Sequence, residues 1–542
     1  MRSTVAKTGI DAIKALGGVT TGFTVSDNVV TEAGASPRHD GWRRLPRGSG
    51  AAIMVGPNAQ VARNKVLDAA NNGIILEVNS TAADNHIART CLSFNDCGGI
   101  YLNYQGNQSA ITGNVVESVL GNVAGLPANR ENHAVGIYLD DGATDILVRG
   151  NTVTGAEYGI QLHNVNSSTI SENRIIGNRR YQLWLQEQTT RVRSGGDIFG
   201  NRIESNLLVP AAGGPNVLME SEIGDTSDFA VFLNNHYSAL FSMRVVGERW
   251  PTGSASYTLD EWQVKAQDIN GKVTQDSGHA SFLSSGTNIV PNGNLVRNAA
   301  GWTKWNLVSP YARFDLRTCS FGPCLQLTAG GTPSLMSSPN FSVTAGQWYR
   351  VTFDAVTSHE GQPIYALVRR GGGGSAGYEP LVPVAETFSG SPAGGRYSFL
   401  FQATKTITVN DPLTRELGAR IDFDRVQPGT SVTVANLEIV PINPTKAALK
   451  IRPLVNPDDT NTDVECPPSD AAADICDKFI YLKDNSAVRW PANLSPLSGE
   501  AVYTRDTSLS DTDGDGVADV EDACPATPPK VAVNARGCGF DE

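Results

Sequence analysis

Gly136-Ile-Tyr-Leu-Asp-Asp-Gly142 has three near-copies in this chain: Gly73-Ile-Ile-Leu-Glu77, Gly99-Ile-Tyr-Leu-Asn103 and Gly159-Ile-Gln-Leu-His163. Each lies downstream of a second recurring phrase, aliphatic-x-x-Asn-x-aliphatic. That phrase reads Val25 to Val30, Val61 to Val66, Ile111 to Val116, Val148 to Val153, Ile170 to Ile175 and Ile198 to Ile203. Ile87 to Leu92 reads as a further copy that carries Thr90 at the Asn position. Short β-rich units recurring at a period in the twenties, with polar turns between them, describe the coils of a parallel β-helix rather than a helical array. Such a fold stacks equivalent residues directly above one another, so a site is legible as columns.

The Asn positions fall at 28, 64, 90 (as Thr), 114, 151, 173 and 201, with spacings of 36, 26, 24, 37, 22 and 28. This is a coil of about two dozen residues with two insertions, 31–50 and 117–135. Both follow an Asn strand and precede a Gly-Ile strand, so both leave the helix at the same corner. The Asn column is architectural: Asn tolerates the left-handed backbone of a sharp corner, and stacked amides bond along the axis. The Gly-Ile pair reads as a turn followed by a core residue.

At 542 residues the chain exceeds one ordinary domain, and three or four are expected. With 55 Gly, 29 Pro and 18% charged residues, the composition suits a turn-dense all-β protein. No apolar run is long enough to span a membrane. A net charge of −12 argues against a nucleic-acid partner. Half of it sits in residues 501–542, where three basic and nine acidic residues give −6, a local cluster that suggests cation binding. The eight cysteines fall as close pairs, Cys91/Cys97, Cys319/Cys324, Cys466/Cys476 and Cys524/Cys538. Local disulfides and an oxidising compartment are the simplest reading; zinc competes, but the pairs have no histidines at ligand spacing. The N-terminus has no basic-then-apolar signal peptide and little room for a solenoid cap before the repeats. The chain is therefore expected to be the C-terminal part of a longer secreted or cell-surface protein, or to have a mis-assigned start.

Residues 20–250 hold the repeats, and 251–286 read as a connector on the solenoid end. From 287 to 441 evenly spaced short strands suggest a two-sheet β-sandwich. It opens with Asn288-Ile-Val-Pro-Asn-Gly-Asn-Leu295 and Gly301-Trp-Thr-Lys-Trp305, and closes on Val432-Thr-Val-Ala-Asn-Leu-Glu-Ile439. The stretch resembles jelly-roll carbohydrate-binding modules whose strands begin with an Asn-Gly turn and a Gly-Trp pair; a non-binding spacer is the alternative. Residues 442–507 are a Pro-rich linker or small β module without an assigned role.

In the C-terminal segment, 508–542, Asp511-Thr-Asp-Gly-Asp-Gly-Val-Ala-Asp-Val-Glu-Asp522 places carboxylates at relative positions 1, 3, 5, 9 and 12, with Gly at 6. That spacing wraps oxygen ligands around Ca²⁺, with the Val517 carbonyl at the seventh position. Position 12 is Asp522 rather than Glu, and no amphipathic helices flank the loop. With Cys524-Pro525 directly after it, the segment resembles a thrombospondin type 3 repeat. The resemblance implies a structural calcium on Asp511, Asp513, Asp515, Val517, Asp519 and Asp522.

Aligning the Gly-Ile strands gives two inward columns, Ile53, Ile74, Ile100, Ile137, Ile160, Leu183 and Val55, Leu76, Leu102, Leu139, Leu162, Leu185. Side chains alternate along a strand, so the residues between them face outward. The first outward column is Met54, Ile75, Tyr101, Tyr138, Gln161, Trp184; the second is Gly56, Glu77, Asn103, Asp140, His163, Gln186. Rungs lie about 4.8 Å apart, which puts Asp140 and His163 within hydrogen-bonding reach and Glu77 about 10 Å from Asp140. The latter is near the upper edge of inverting-glycosidase spacing. Tyr101, Tyr138 and Trp184 offer flat faces for sugar rings, with Asn103 as a polar contact. The insertions add Arg38, His39, Asp40, Trp42, Arg43 and Arg44 in one and Arg130, Glu131 and His133 in the other. These would wall a groove for an acidic glycan. A hydrated face with solvated loops is the plain alternative.

The strand 136–142, followed by Val148-Arg-Gly-Asn151, looks like the repeats of right-handed parallel β-helix proteins active on polysaccharides. The resemblance implies an extracellular lyase or glycoside hydrolase. The Asn-Thr-Asp and Gly-His-Gly strings of polygalacturonases and the Asp-Pro-His-Asp string of alginate epimerases are missing. As a hydrolase, Asp140 would work opposite Glu77 or Glu131; as a lyase, His163 or His133 would abstract a proton while Arg130, or a cation held by Asp140, neutralises the substrate carboxylate. The alternative is a non-catalytic adhesin or glycan-binding stalk.

Overall fold

The computed structural model describes residues 3–504 except 17–21, 35–49, 125–131, 189–197, 211–215, 239–243, 275–281, 285–286, 306–312, 373–377, 383–385, 411–416, 445–450, 469–475, 477–478, 483–486 and five single positions, 252, 258, 266, 269 and 297. Three sheets of ten, ten and eight strands, parallel except for one antiparallel strand at the end of the second, run the length of the N-terminal half, and the chain visits them in turn, I, II, III, once per coil. The Asn phrases turn the corner from sheet III into sheet I, as from Ile111 through Asn114 to Val116, and sheet II carries the Gly-Ile phrases. Parallel pairing begins with Thr4–Thr8 on Val29–Ala33 and continues to Lys272–Thr274 on His236–Ser238. The stretch after 250 takes part in this stack. Gly253–Tyr257 folds back antiparallel on Val246–Trp250, and the short helix Leu259–Val264 closes the end with Trp262 buried against Phe232.

Both inward columns are in register as the alternation requires. Ile74 pairs with Ile100, Ile100 with Ile137, Ile137 with Ile160 and Ile160 with Leu183, all fully buried. Gly99, Gly136 and Gly159 are strand residues, not turns: a Cβ on Gly136 would overlap Val153 and the Gly159 carbonyl. Close approach of a sheet I side chain, rather than backbone conformation, demands glycine there.

The amide ladder differs from the sequence expectation at two rungs. It runs Asn28, Asn64, Asn85, Asn114, Asn151, Asn173, Asn206, Asn235, each Oδ1 accepting from the amide N–H and Nδ2 of the preceding rung, as at Asn85 and Asn114 (2.9 Å each). Thr90 and Asn201 are not members. Thr90 lies one corner further on, and Asn201 accepts from the Ser168 amide in a separate stack. The phrase Ala82-x-x-Asn85-x-Ile87 was obscured because Ala replaces the expected large aliphatic. The left-handed backbone belongs to the residue before each Asn: Asp27, Arg63, Asp84, Glu172, Ser205 and Asn234 have φ between 53° and 60°. The ladder ends on Asp268, whose two oxygens accept from Asn235 and Tyr237.

Residues 282–444 form the antiparallel sandwich, a six-stranded sheet against a five-stranded one, with a core of its own around Phe353 and Phe423. A small module follows. Its strands Ile451–Asn456, Phe479–Tyr481 and Ser498–Thr504 make one sheet, and Leu482, Ala501 and Tyr503 pack on Ile176 and Val209 of sheet I beside Trp348 of the sandwich. The disulfides Cys91–Cys97, Cys319–Cys324 and Cys466–Cys476 are formed, whereas Cys524 and Cys538 lie outside the described residues. No described helix is long and apolar enough to cross a membrane.

Candidate functional site

The two outward columns of sheet II stand in the register expected: Tyr101 pairs with Tyr138, Tyr138 with Gln161, Gln161 with Trp184, and His163 with Gln186. After the strand Ala134–Leu139 the chain turns through Asp141 (φ 23°) and Gly142 (φ 76°). This sharp turn keeps the Asp140 and Asp141 carboxylates together at the strand end. His163 closes the next strand, Tyr158–His163.

Asp140 is the hub. Its Oδ2 accepts the Tyr101 hydroxyl at 2.8 Å, and its Oδ1 lies 2.8 Å from His163 Nδ1 and also accepts the Asp141 amide. The side chains of Asp140 and His163 are 16% and 13% exposed, enough for one reacting edge to meet a ligand. Burial works against ionising Asp140, but the bonds from His163, Tyr101 and the Asp141 amide outweigh it and hold the carboxyl below its usual range. Burial likewise opposes protonation of His163, yet Asp140 beside it raises the imidazole above its ordinary value. Desolvation first, then the Asp140 charge, pushes the Tyr101 hydroxyl up, so Tyr101 is a phenol that donates. The far nitrogen of His163 faces Gln188 Oε1 at 3.2 Å.

His133 is held beside this array by the described end of its insertion. Its amide donates to Asn95 Oδ1, its Nδ1 lies 3.3 Å from Asp96 and its Nε2 2.6 Å from Gln161 Oε1. The ring packs on Tyr138, Tyr158 and Trp184 with centroids 5.3, 5.7 and 5.6 Å away. Val135, Tyr138, Tyr158, Tyr181 and Leu218 thereby make a small apolar cluster on the outside of the helix.

That cluster corrects one expectation. Tyr138 is 2% exposed, so its face is covered rather than offered to a sugar; Tyr101 and Trp184 keep partial exposure. Asn103 lies between Glu77 and Asp140 in the column and tempers the upward shift of the Tyr101 hydroxyl. Glu77, two coils from Asp140, has its carboxyl raised by burial and is not among the partners of Asp140. Arg130, Glu131 and residues 38–44 lie outside the described residues, as do Asp511, Asp513, Asp515, Val517, Asp519 and Asp522. Asp141, Gln188, Asn95 and Asp96 escaped the sequence reading. Asp141 was visible as a second carboxylate beside the column, but the other three sit in loops, where strand alternation carries no signal.

Residues 2–153 match the family model described as right handed beta helix region, and residues 123–261 match the one described as periplasmic copper-binding protein (NosD). The N-terminal half is a right-handed β-helix. No curated protein matches the chain significantly. Among solved structures, the bacteriophage CBA120 tailspike protein 4 enzymatically active domain is similar at 9% identity and a TM-score of 0.24, over 77% of this chain and 58% of its own length. The N-terminal cellulose-binding domain of the Cellulomonas fimi β-1,4-glucanase C is similar at 16% identity and a TM-score of 0.20, over 26% of this chain and 87% of its own. The family 11 carbohydrate-binding module of Clostridium thermocellum stands at 11% and 0.21, over 29% of this chain and 96% of its own. At such scores these likenesses decide nothing about function.

Proposed function

We propose that this is an exported protein that cleaves an acidic polysaccharide on the outer face of sheet II, by abstraction of the proton next to a uronate carboxyl group. The observation that carries this reading is the Tyr101–Asp140–His163 array. Asp140 binds Nδ1, fixes the ring and stabilises its protonated form, so that above its raised pKa His163 presents Nε2 as the proton acceptor. The C5–H electrons form the C4–C5 double bond, and the glycosidic C4–O bond breaks. The leaving oxygen takes a proton, for which His133 on the same face is the candidate donor. Tyr101, kept protonated, fixes the second oxygen of Asp140. Arg130 is proposed to neutralise the substrate carboxylate. Exposed edges of Tyr101 and Trp184 supply the sugar platform, and Asn103 a polar contact.

A hydrolytic reading has one observation in its favour: environment pushes two carboxyls apart, Glu77 up and Asp140 down, as an acid and a base require. A soluble-polysaccharide screen separates the two. Polygalacturonate and alginate are expected to yield ultraviolet-absorbing unsaturated ends; reducing ends without that absorbance would support hydrolysis, and retention without cleavage would support the glycan-binding alternative. Asp140→Asn and His163→Ala should remove the activity, and full activity in either would refute the site.

The copper named in one family description meets a poor donor set here. Among the described residues, Asp140, Asp141 and His163 converge with ligand atoms within 4.8 Å of one another, and no described cysteine is free. Two carboxylates and one imidazole suit a harder divalent ion better than copper, which favours thiolates, thioethers or several imidazoles. Calcium is proposed for the C-terminal loop alone, on the spacing of its oxygen ligands.

A further inference from the structure

The second outward column continues beyond His163 through Gln186 and Glu220 to Arg249, in unbroken register. Three rungs of about 4.8 Å carry it roughly 14 Å along the helix, the length of a few sugar units. Arg249 ends the column where the β-helix meets the sandwich, since the strand Gly253–Tyr257 that folds back on it also packs against Gln362–Arg370 and Glu386–Gly390. Glu220 Oε1 takes one guanidinium nitrogen of Arg249 at 2.8 Å, and the side chain is still 38% exposed. Tyr365 lies on Gln362–Arg370, one of those two sandwich strands, and the Arg425 guanidinium sits 5.3 Å over the Tyr365 ring. Arg425 is exposed; its backbone amide donates to Asp424 Oδ1, and among the described residues its guanidinium forms no ion pair.

We propose that Arg249 at the end of the column and Arg425 on the sandwich beside it form an accessory subsite for the carboxylates of a uronic-acid polysaccharide running from Asp140–His163 along sheet II onto the sandwich. The inference rests on the acidic-polysaccharide reading above. Its chemistry is that of two planar guanidinium forks, one at the end of the sheet II column and one on the sandwich beyond the junction, facing a polymer with a carboxylate on successive sugars. The chain's negative net charge does not oppose this at physiological salt, where fields from distant carboxylates fade over about 8 Å and the local cations decide. The docked sandwich thus acts as an extension of the groove.

The test uses the full chain with polygalacturonate, its carboxyl-reduced counterpart and a trigalacturonate. Arg425→Ala should weaken polygalacturonate binding about tenfold or more, Arg425→Glu should weaken it further, and Arg425→Lys should restore most of it. Turnover of the trigalacturonate should stay as in the wild type. Unchanged polymer affinity in Arg425→Ala, an equal loss on the carboxyl-reduced polymer, or no retention of polygalacturonate by the wild type would each overturn the subsite. The two readings fail separately. Polymer cleaved by an Arg425→Ala variant of undiminished affinity removes the subsite alone. Polymer bound through Arg425 without any effect of Asp140→Asn on turnover removes the catalytic reading alone.

Discussion

His163 Nδ1 lies 2.8 Å from Asp140 Oδ1, although the two residues are separated by a full coil of chain. The pair exists because parallel register puts position 163 above position 140, and because the turn at Asp141–Gly142 stops the strand where the carboxylate faces along the column.

The pair predicts a pH signature. Folding raises the His163 pKa and lowers that of Asp140. Its contribution to stability is therefore full between the unfolded values of about 3.9 and 6.5, is lost as pH rises through the folded histidine value, and is lost as pH falls through the folded carboxyl value. Turnover should rise with pH through the folded histidine value as Nε2 becomes free to accept. In an NMR titration His163 should shift above its ordinary value in the wild type and fall back in Asp140→Asn; an unmoved midpoint would count against the pairing. Loss of the positioned base should reduce turnover by about a hundredfold or more.

The revised ladder makes a contrast between neighbours. Asn85→Ala leaves the Asn64 amide and the Val61 and Ala83 carbonyls without their partner, at about 1–3 kcal/mol for each buried group. Thr90→Val removes a buried hydroxyl that has no hydrogen-bond partner among the described residues, and should leave thermal stability unchanged or slightly higher. If thermal melts ranked the two in the opposite order, the assignment of rungs would be wrong.

Glu386 gives a second handle on pH. Burial, only partly offset by the Arg244 charge, pushes its carboxyl up to about 7. A raised carboxyl contributes stability that is present below its unfolded value near 4.3 and disappears as pH rises through about 7. Glu386→Gln should accordingly match the wild type near pH 5 and melt higher at pH 8, since the amide has no charge to bury.

Cys91 and Cys97 bracket the loop that gives Asn95 and Asp96 to His133. The double substitution to Ser should cost about 2–3 kcal/mol in unfolding measurements. It should also lower activity beyond the stability loss at temperatures where the fold persists. Activity retained in full would place His133 outside the machinery.

For the C-terminal loop, Asp513→Ala should abolish a calcium-binding event seen by calorimetry in the wild type. No heat of binding in the wild type would remove the calcium proposal while leaving the sheet II site untouched.

The β-helix, its inward columns and the Asp140–His163 contact were legible from the sequence. Parallel strands one coil apart must stack like on like, and alternation alone then sorts inside from outside. The Asn ladder was legible only in part, because a small Ala82 hid one copy of its phrase and Asn201 imitated another. What alternation could not reveal is which outward residues stay outward. Tyr138 points away from the core as expected, yet the returning insertion and its neighbours Tyr158 and Tyr181 bury it in a second apolar cluster. Likewise the docking of sandwich and small module on sheets II and I, which brings Glu386–Gly390 to Gly253–Tyr257 and Tyr503 to Ile176, depends on surfaces far apart in the chain. Local periodicity determines a strand's own two faces; what covers each face is a matter of long-range packing, and only the tertiary structure decides it.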